Sequence, residues 1–475
     1  MTKLPRRSAL DLAAALRARE VSAVELLEAC LAEVDRLNDS LNAVIWRDDD
    51  AARAEARAAD ERLSAGEGAP FLGVPIPIKD LTEVNGQPVT YGSRGRPLTP
   101  WEGESETVVD ALRAAGFVLA GRTNTPEFGH ITATENLRWG VTRNPWDVSR
   151  TPGGSSGGAA AATASGMFPL AHANDGGGSI RIPASCCGLV GLKPSRGRVP
   201  RRAQSWLGAV VEGAVTRTVA DAAAVLDAIA GPDPYAWYNA PVPERPFAAE
   251  VAAGSGPLRV GLMTSGPAGM PIDPACAEAA RRAGEALEQL GHAVDAVDVA
   301  TVSEQLIEPF VFLIEAALGE QLGDVDFERA EPHIAAQVAN AQSRSAFEYA
   351  RVAKDIELLS RELMAPWGRD FDVLVTPTMA VPPPPAGAIM EVTHADPSAP
   401  SELVIATVAF TAFANVTGQP AISLPLHESE DGLPIGVQLV GSPFAEATLL
   451  ALAGGLEAAL PWTERQPAVA QLSAT

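Results

Sequence analysis

Cysteine is scarce in this 475-residue sequence, and so are the motifs that hold metals and phosphates. The four cysteines are Cys30, Cys186, Cys187 and Cys276, and their spacing fits neither a disulfide framework nor a zinc site. The sequence also lacks the HExxH motif and the phosphate-binding loops GxxxxGKS and GxxxxGKT. We therefore expect buried free thiols in a reducing compartment, and neither a phosphate-binding loop nor a metal-binding motif.

Long hydrophobic runs and an excess of positive charge are also missing. No apolar run approaches the ~20 residues that a membrane-spanning helix needs, and the N-terminal segment MTKLPRRSALDLAAALRARE is typical of an amphipathic helix, not of a signal peptide. The formal net charge is −23, which argues against nucleic acid or an anionic membrane as a partner. Because 47% of the residues are hydrophobic, the chain can bury a substantial core, and we expect a cytoplasmic globular protein.

Lysine is rare as well, with only four copies among 36 basic side chains. One of them, Lys79, directly follows the apolar run VPIPI at the end of a predicted strand. A lysine that is desolvated in such a place has a lowered pKa and can act as a base, which arginine cannot do. Taken alone, the position favours a solvated lysine at a strand end.

The chain does contain a clear alternation of helical and strand-like patterns. Apolar residues at helical spacing predict helices over 9–19 and 23–37, and 50–64, which is rich in Ala, Arg and Glu, predicts a third; we expect all three on the outside of the core. Further on, a predicted strand at 258–263 is followed by a helix at 273–290 and then by a second strand. This order is typical of an α/β fold, in which helices join the strands.

Two glycine clusters each contain serine, and a small-residue segment that predicts a helix lies between them. The clusters are GGSSGG at 153–158 and DGGGS at 175–179. Glycine lets neighbouring N–H groups point into one space, so each cluster offers a nucleophile beside an oxyanion site. Ser155 and Ser156 would also lie at a helix N-terminus, where the helix dipole favours negative charge.

One interpretation of these clusters is an α/β-hydrolase, because GGSSG at 153–157 matches the nucleophile-elbow pattern GxSxG. Ser155 would then be the nucleophile and His427 its partner. The apolar strand that should precede the elbow is missing, however, since DVSRTP stands there. A system of one lysine and two serines uses more of the sequence.

Six segments together resemble the amidase signature family of serine amidohydrolases. They extend over most of the chain, with about 230–400 least covered, and they read PIPIKD (75–80), GRTNTPEFG (121–129), GGSSGGAAAATASG (153–166), NDGGGSIRIPASCCGLVGLKPSRGRV (174–199), NVTGQPAISLP (415–425) and GLPIGVQLVG (432–441). The resemblance implies an α/β amidase signature fold, in which a mixed, twisted β-sheet is covered by α-helices on both faces. It also implies catalysis without a metal or cofactor.

The resemblance also assigns catalytic roles. Ser179 resembles the nucleophile, Lys79 resembles the general base, and Ser155 resembles the serine that bridges them. The peptide bond before this bridging serine is cis in the family. The oxyanion hole is formed by backbone N–H groups that here resemble those of Gly176, Gly177, Gly178 and Ser179.

A second set of residues surrounds these groups. We expect Ser156, Asp175 and Arg181 to orient the catalytic network, although plain capping and turn hydrogen bonds fit them equally well. Many family members have threonine where this chain has Gly176. The predicted oxyanion hole is therefore roomier or more flexible than theirs, which bears on substrate preference and not on the class of chemistry.

We expect one amidase signature domain over residues 1–475. It divides into N-terminal helices (1–65), a catalytic core with the lysine and both serines (66–230), an elaborated substrate-pocket region (231–400) and a C-terminal core segment (401–475). Helices of the third segment are expected to wall the pocket.

The substrate contacts are less clear from the residues. Gly154, His130 and Pro377 are the candidates, the last two because their loops are expected near the pocket. The segments AGFVLAGRTNTPE, TRNPWD and NDGGGSIRIPAS are most similar to bacterial hydrolases of cyclic nylon oligomers, aryl acylamides and carbamates. We therefore expect a monomer or homodimer that cleaves carbon–nitrogen bonds of small, rather apolar amides or carbamates.

Two alternatives stay open. The resemblance also fits the amidase subunit of a tRNA-dependent amidotransferase, which works only with partner subunits, although the acidity of the chain argues against contact with tRNA. The α/β-hydrolase interpretation differs in its nucleophile, because it predicts acylation of Ser155 instead of Ser179.

Overall fold

The computed structural model describes residues 4–321, 323–397 and 400–471. Within these ranges the chain forms both strands and α-helices, with short 3₁₀ turns between them. In chain order the strands are β1 (Val44–Trp46), β2 (Pro75–Lys79), β3 (Val118–Thr123), β4 (Glu135–Asn136), β5 (Gly140–Val141), β6 (Ala171–Asp175), β7 (Val190–Lys193), β8 (Val211–Thr216), β9 (Arg259–Leu262), β10 (Ala293–Ala296), β11 (Val373–Pro377), β12 (Ala421–Glu428) and β13 (Pro434–Gly441).

The helices surround these strands. They are α1 (Ala9–Arg17), α2 (Ala23–Leu41), α3 (Asp49–Ser64), α4 (Thr107–Ala114), α5 (Gly157–Ser165), α6 (Arg181–Cys187), α7 (Val219–Ile229), α8 (Phe247–Glu250), α9 (Pro274–Gln289), α10 (Glu304–Ala316), α11 (Pro332–Ser343), α12 (Ala346–Met364), α13 (Ala388–Ala395), α14 (Glu402–Val408), α15 (Ala412–Thr417) and α16 (Glu446–Ala459). Among the described residues, no helix is both long enough and apolar enough to cross a membrane.

Eight of the strands form one mixed sheet in the order β10-β9-β11-β13-β12-β7-β8-β6. The pairs that involve β9 are parallel, and the remaining pairs are antiparallel. A second sheet has the order β1-β3-β2. Its edge strand β2 lies against β6, the edge strand of the large sheet. The ends of the two strands meet, because Lys79 at the end of β2 contacts Asn174 near the end of β6, although about 95 residues separate them in sequence.

Helices cover both faces of the large sheet, as the sequence predicts. Arg181 of α6 hydrogen-bonds to Gln438 of β13, whereas the flanking Val437 and Leu439 belong to the core that α9 and α16 complete. Because successive residues of a strand point to opposite faces, α6 lies on one face and α9 and α16 lie on the other. The mixed α/β sheet with two covered faces is confirmed.

The predicted N-terminal helices correspond to α1, α2 and α3. The second of them begins at a capping box in which Ser22 and Glu25 each satisfy a backbone N–H group of the other. The predicted strand at 258–263 and helix at 273–290 correspond to β9 and α9. These elements could be predicted because caps and apolar spacing are local properties of the sequence.

The strands nearest the glycine clusters were harder to predict. Residues 211–216 form β8 between β7 and β6, and α7 begins only after this strand, at Val219. All six residues of β8 are buried. Their sequence, VEGAVT, does not alternate between apolar and polar residues, so it lacks the usual strand signal.

Candidate active site

Lys79 is the last residue of β2 and is completely buried. Its Nζ donates to Ser155 Oγ at 2.7 Å and to Asn174 Oδ1 at 2.7 Å. Burial lowers the pKa of Lys79 to about 7, although the negative charges of Glu212 and Asp175 act to raise it. The interpretation of Lys79 as a solvated strand-end residue is therefore wrong, and its amine can be neutral near neutral pH.

A buried chain of polar groups lies behind Lys79. The backbone N–H of Lys79 donates to His172 Nδ1 at 3.4 Å, and His172 Nε2 lies 3.0 Å from Glu212 Oε2. Glu212 in turn pairs with Arg201. Burial opposes ionisation of Glu212, but Arg201, His172 and Lys79 together keep its pKa below the ordinary value. Sequence reasoning missed His172 and Glu212, which come together only through the pairing of β6 with β8.

The two serines line one cavity, Ser155 from the segment before α5 and Ser179 from the segment after β6. Ser155 precedes α5, and the peptide bond that joins it to Gly154 is cis. Ser179 follows β6 and is partly exposed, whereas Ser155 is 2% exposed. Both serines line a cavity of about 350 Å³. The structure thus brings Lys79, Ser155 and Ser179 together, with Ser155 in contact with the lysine.

Asp175 and Arg181 form a buried pair beside Ser179. Arg181 donates to both carboxylate oxygens of Asp175, at 2.9 and 3.0 Å, and to Gln438 Oε1 at 2.7 Å. Asn415 Nδ2 also donates to the carboxylate, at 2.9 Å. Burial opposes ionisation of Asp175, but the Arg181 guanidinium outweighs it and holds the pKa of Asp175 well below its usual range. This pair links β6 and α6 to α15 and β13.

Ser156 supports the same strand end. Its Oγ donates to the backbone carbonyl of Asn174 at 3.2 Å, and it does not cap α5 through its side chain. The capping interpretation of Ser156 is therefore wrong, whereas its contact with β6 agrees with a supporting position.

The predicted oxyanion hole has one free N–H donor fewer than the sequence suggests. The N–H of Gly178 donates to Asp175 Oδ1 at 2.7 Å and is therefore already used. Within the described residues, the N–H groups of Gly176, Gly177 and Ser179 have no hydrogen-bond partner. Gly178 has a φ of +133°, and a Cβ there would lie 2.4 Å from Thr411 Oγ1, so only glycine fits this turn.

The space beside Gly176 is not left open. A Cβ at Gly176 would lie 2.5 Å from the ring of Trp206, so the indole occupies the volume that a larger residue would need. Trp206 also packs edge-to-face on His130 and on Phe310. The expectation of a roomier hole is therefore wrong. Trp206 was missed in the sequence, because nothing in SWLG indicates that it packs against a glycine thirty positions earlier.

Two cavities of different character meet at Ser179. The larger one is rich in charged side chains, which are Glu83, Glu104, Glu106, Arg201, Arg202 and Glu320. The second, of about 160 Å³, is mainly apolar and is lined by side chains of α10, among them Leu306, Ile307, Phe310 and Val311. Ser179 is therefore accessible from a polar side and from an apolar side.

The three candidate substrate contacts have different outcomes. His130 lines both cavities, and its Nδ1 lies 2.7 Å from Gln337 Oε1. Burial lowers the pKa of His130 to about 4, so the ring is neutral. Gly154 and Pro377 are not among the residues that line these two cavities. Pro377 instead ends β11 and is buried in the large sheet.

The geometry also bears on the α/β-hydrolase interpretation. Ser155 Oγ contacts Lys79, and His427, its proposed partner, lies 3.3 Å from Arg282. The structure therefore does not join Ser155 to His427. A buried lysine, a serine on its amine and a second serine in the same cavity define the class of serine amidohydrolases that use lysine as the base.

Comparisons with known proteins agree with this class. The profile of the Amidase family matches residues 25–450 of the chain. The 6-aminohexanoate-cyclic-dimer hydrolase of Paenarthrobacter ureafaciens is 39% identical over 478 residues, which cover 95% of this chain and 94% of the relative. The chain therefore belongs to the amidase family, the amidase signature enzymes, and is an amidohydrolase that acts on carbon–nitrogen bonds other than peptide bonds.

Solved structures show the same relationship. A 6-aminohexanoate cyclic dimer hydrolase in complex with substrate superposes with a TM-score of 0.91 at 36% identity and covers 98% of this chain and 99% of its own. A bacterial aryl acylamidase of the amidase signature family gives a TM-score of 0.88 at 26% identity, covering 97% of this chain and 98% of its own. The fold and its family are thus established over nearly the whole chain.

Proposed function

We propose that this enzyme hydrolyses small amides and carbamates through an acyl-enzyme formed on Ser179, with Ser155 and Lys79 as the proton relay. One observation carries the proposal: the fully buried Lys79 Nζ lies 2.7 Å from Ser155 Oγ in the wall of a cavity that Ser179 also lines. A lysine of lowered pKa beside a serine is an arrangement that activates a nucleophile.

The proposed reaction follows from this arrangement. Neutral Lys79 takes the proton of Ser155, which takes the proton of Ser179 as the Ser179 oxygen attacks the substrate carbonyl carbon. The negative oxygen that develops faces the unpaired N–H groups near Ser179, and a well-placed donor of this kind contributes roughly 3–4 kcal/mol. The proton then returns through Ser155 to the leaving nitrogen, the carbon–nitrogen bond breaks, and water hydrolyses the acyl-enzyme.

The two cavities support a substrate with an apolar part and a polar part. The apolar cavity beside Phe310 suits an aliphatic chain or an aryl ring, and the charged cavity beside Arg201 suits a polar group. The similar proteins are named for a cyclic dimer of 6-aminohexanoate and for aryl acylamides. We infer that this enzyme accepts small amides of these kinds, including nylon-type oligomers, and the corresponding carbamates.

The test compares kcat/KM for an aryl carbamate and the matched anilide, with Ser179→Ala as the control. The proposal is supported if the wild type hydrolyses both substrates and Ser179→Ala lowers kcat/KM at least a thousandfold, since loss of a nucleophile costs orders of magnitude in rate. Mass mapping after treatment with a serine-reactive phosphonate then locates the acylated residue. Modification of Ser155 instead of Ser179, or equal turnover by the control, overturns the assignment.

Two further properties belong to the same proposal. We infer a cytoplasmic location, because the four cysteines are free and buried, as is usual in a reducing compartment. We also infer that the active species is a monomer or homodimer without nucleic acid. The chain organisation, a single domain with its catalytic core at 66–230, is part of this proposal as well.

A further inference from the structure

Three side chains outside the catalytic network come together where α11 meets α13. Glu331 precedes α11, His333 lies in its first turn, and His394 lies in the last turn of α13. His333 Nδ1 is 3.3 Å from His394 Nε2, and Glu331 Oε2 is 3.4 Å from His394 Nε2 and 3.7 Å from His333 Nδ1. One oxygen and two imidazole nitrogens therefore form a nearly equilateral triangle.

The triangle has the size of one face of a zinc coordination sphere. Zinc binds histidine nitrogen and carboxylate oxygen at about 2.0–2.2 Å, so two ligand atoms of a tetrahedral site lie about 3.3–3.6 Å apart. Two of the observed separations, 3.3 and 3.4 Å, lie within this range, and the third, 3.7 Å, is slightly longer. A single ion can therefore reach all three atoms without a large movement of any side chain.

The cluster also contains buried polar atoms that lack partners. Glu331 is 2% exposed and His333 is 1% exposed. Within the described residues, Glu331 Oε2 and His333 Nε2 have no hydrogen-bond partner. The other oxygen of Glu331 accepts from the N–H of Leu137 at 2.8 Å, which orients Oε2 towards the histidines. Buried polar atoms without partners are costly, and a cation would satisfy the carboxylate oxygen.

The surrounding charges favour a cation. The carboxylates of Glu127 and Glu135 lie near Glu331, and Glu127 accepts from the backbone N–H of Glu331 at 2.7 Å. One opposing positive charge, that of Arg94, also acts on Glu331. A cation held by Glu331 would therefore lie in surroundings that are mainly negative.

We propose that Glu331, His333 and His394 form a binding site for a divalent zinc-type ion, with water as the fourth ligand. Two imidazoles and one carboxylate are a ligand set that suits zinc. Because the side chain of His394 is 26% exposed, the ion has a route from solvent. The bound ion would fasten the start of α11 to α13. Sixty residues separate His333 from His394, so no sequence motif predicts the site.

The proposal is tested on the full chain after treatment with a chelator and desalting. Isothermal titration with zinc sulfate should show one Zn²⁺ bound per chain. His394→Ala should weaken this binding at least tenfold, and Glu331→Gln should do the same while keeping the shape of the buried side chain. His427→Ala is the matched control, because it removes a partly exposed histidine that contacts Arg282, and it should bind zinc like the wild type.

Cobalt provides a readout that a merely structural histidine would not change. Co²⁺ in a tetrahedral site absorbs visible light strongly, so the wild type and His427→Ala should develop this absorption and His394→Ala should not. Absence of stoichiometric zinc binding in the wild type overturns the proposal, and so does an equal weakening in the His394 and His427 variants. The test does not depend on hydrolysis, so it is independent of the proposed catalytic function.

Discussion

At the scale of single residues, the environment of Lys79 determines the pH at which the proposed mechanism can work. The relay uses the neutral amine, and burial lowers the pKa of Lys79 to about 7. We therefore expect kcat/KM for a small anilide to be low in acid, to rise with pH through about 7, and to level off above it. A pH–rate profile measures this, and a profile that stays flat through that region would exclude Lys79 as the titrating base.

Glu212 allows the same prediction to be checked by substitution. Its negative charge raises the pKa of Lys79, so Glu212→Gln should lower that pKa and move the rise in the profile to lower pH. Glu320→Gln is the matched control, because Glu320 lines the charged cavity beside Ser155 and Ser179 but does not contribute to the pKa shift of Lys79. An equal shift of the pH–rate profile in both variants would show that the overall charge of the cavity, and not Glu212 in particular, sets the pKa of Lys79.

The residues that the sequence could and could not predict differ in one physical respect. Lys79, Ser155 and Ser179 stand out because lysine is rare here and because glycine around a serine is unusual. Trp206 and Glu212 do not stand out, since their importance comes from what they touch. Trp206 occupies the space beside Gly176, and Glu212 reaches Lys79 through His172. Contacts of this kind depend on strand pairing, which no local pattern specifies.

At the scale of secondary structure elements, the Asp175–Arg181 pair joins four of them around the nucleophile. Asp175→Asn removes the charge that compensates the completely buried Arg181, and breaking a buried pair in this way costs about 3–5 kcal/mol of unfolding free energy. We expect urea unfolding to show a loss of this order. Asp370→Asn, which removes an exposed partner of Arg369, should leave unfolding unchanged.

The stability that Asp175 contributes should also depend on pH. The pKa of Asp175 is depressed in the folded state, so its contribution to stability is present above the unfolded-state value of about 3.9 and is lost as the pH falls towards the folded-state value. The wild type should therefore lose its advantage over Asp175→Asn only in strong acid. Equal stability of the two proteins at neutral pH would show that Asn415, Gln438 and the carbonyl of Thr411 satisfy Arg181 without the charge of Asp175.

Some secondary structure elements could likewise be predicted from the local sequence, and others could not. Helices α1 to α3 follow their capping residues and the spacing of their apolar residues. By contrast, β6, β7 and β8 are almost completely buried on both faces and lie among glycines, so their sequences show neither alternation nor clear ends. The large sheet could be predicted as a class, and its strand order could not.

At the scale of the whole molecule, the balance of 59 acidic and 36 basic residues opposes binding to tRNA and favours an enzyme that works alone. We expect the purified chain to hydrolyse an anilide at a rate proportional to its concentration, with no effect of added tRNA. Light scattering during gel filtration should place this activity at the mass of one or two 49.3 kDa chains. Ser179→Ala, purified in parallel, controls for amidases of the expression host. Activity that appears only in a heavier complex, or only with tRNA, would instead identify the chain as a subunit that needs partners.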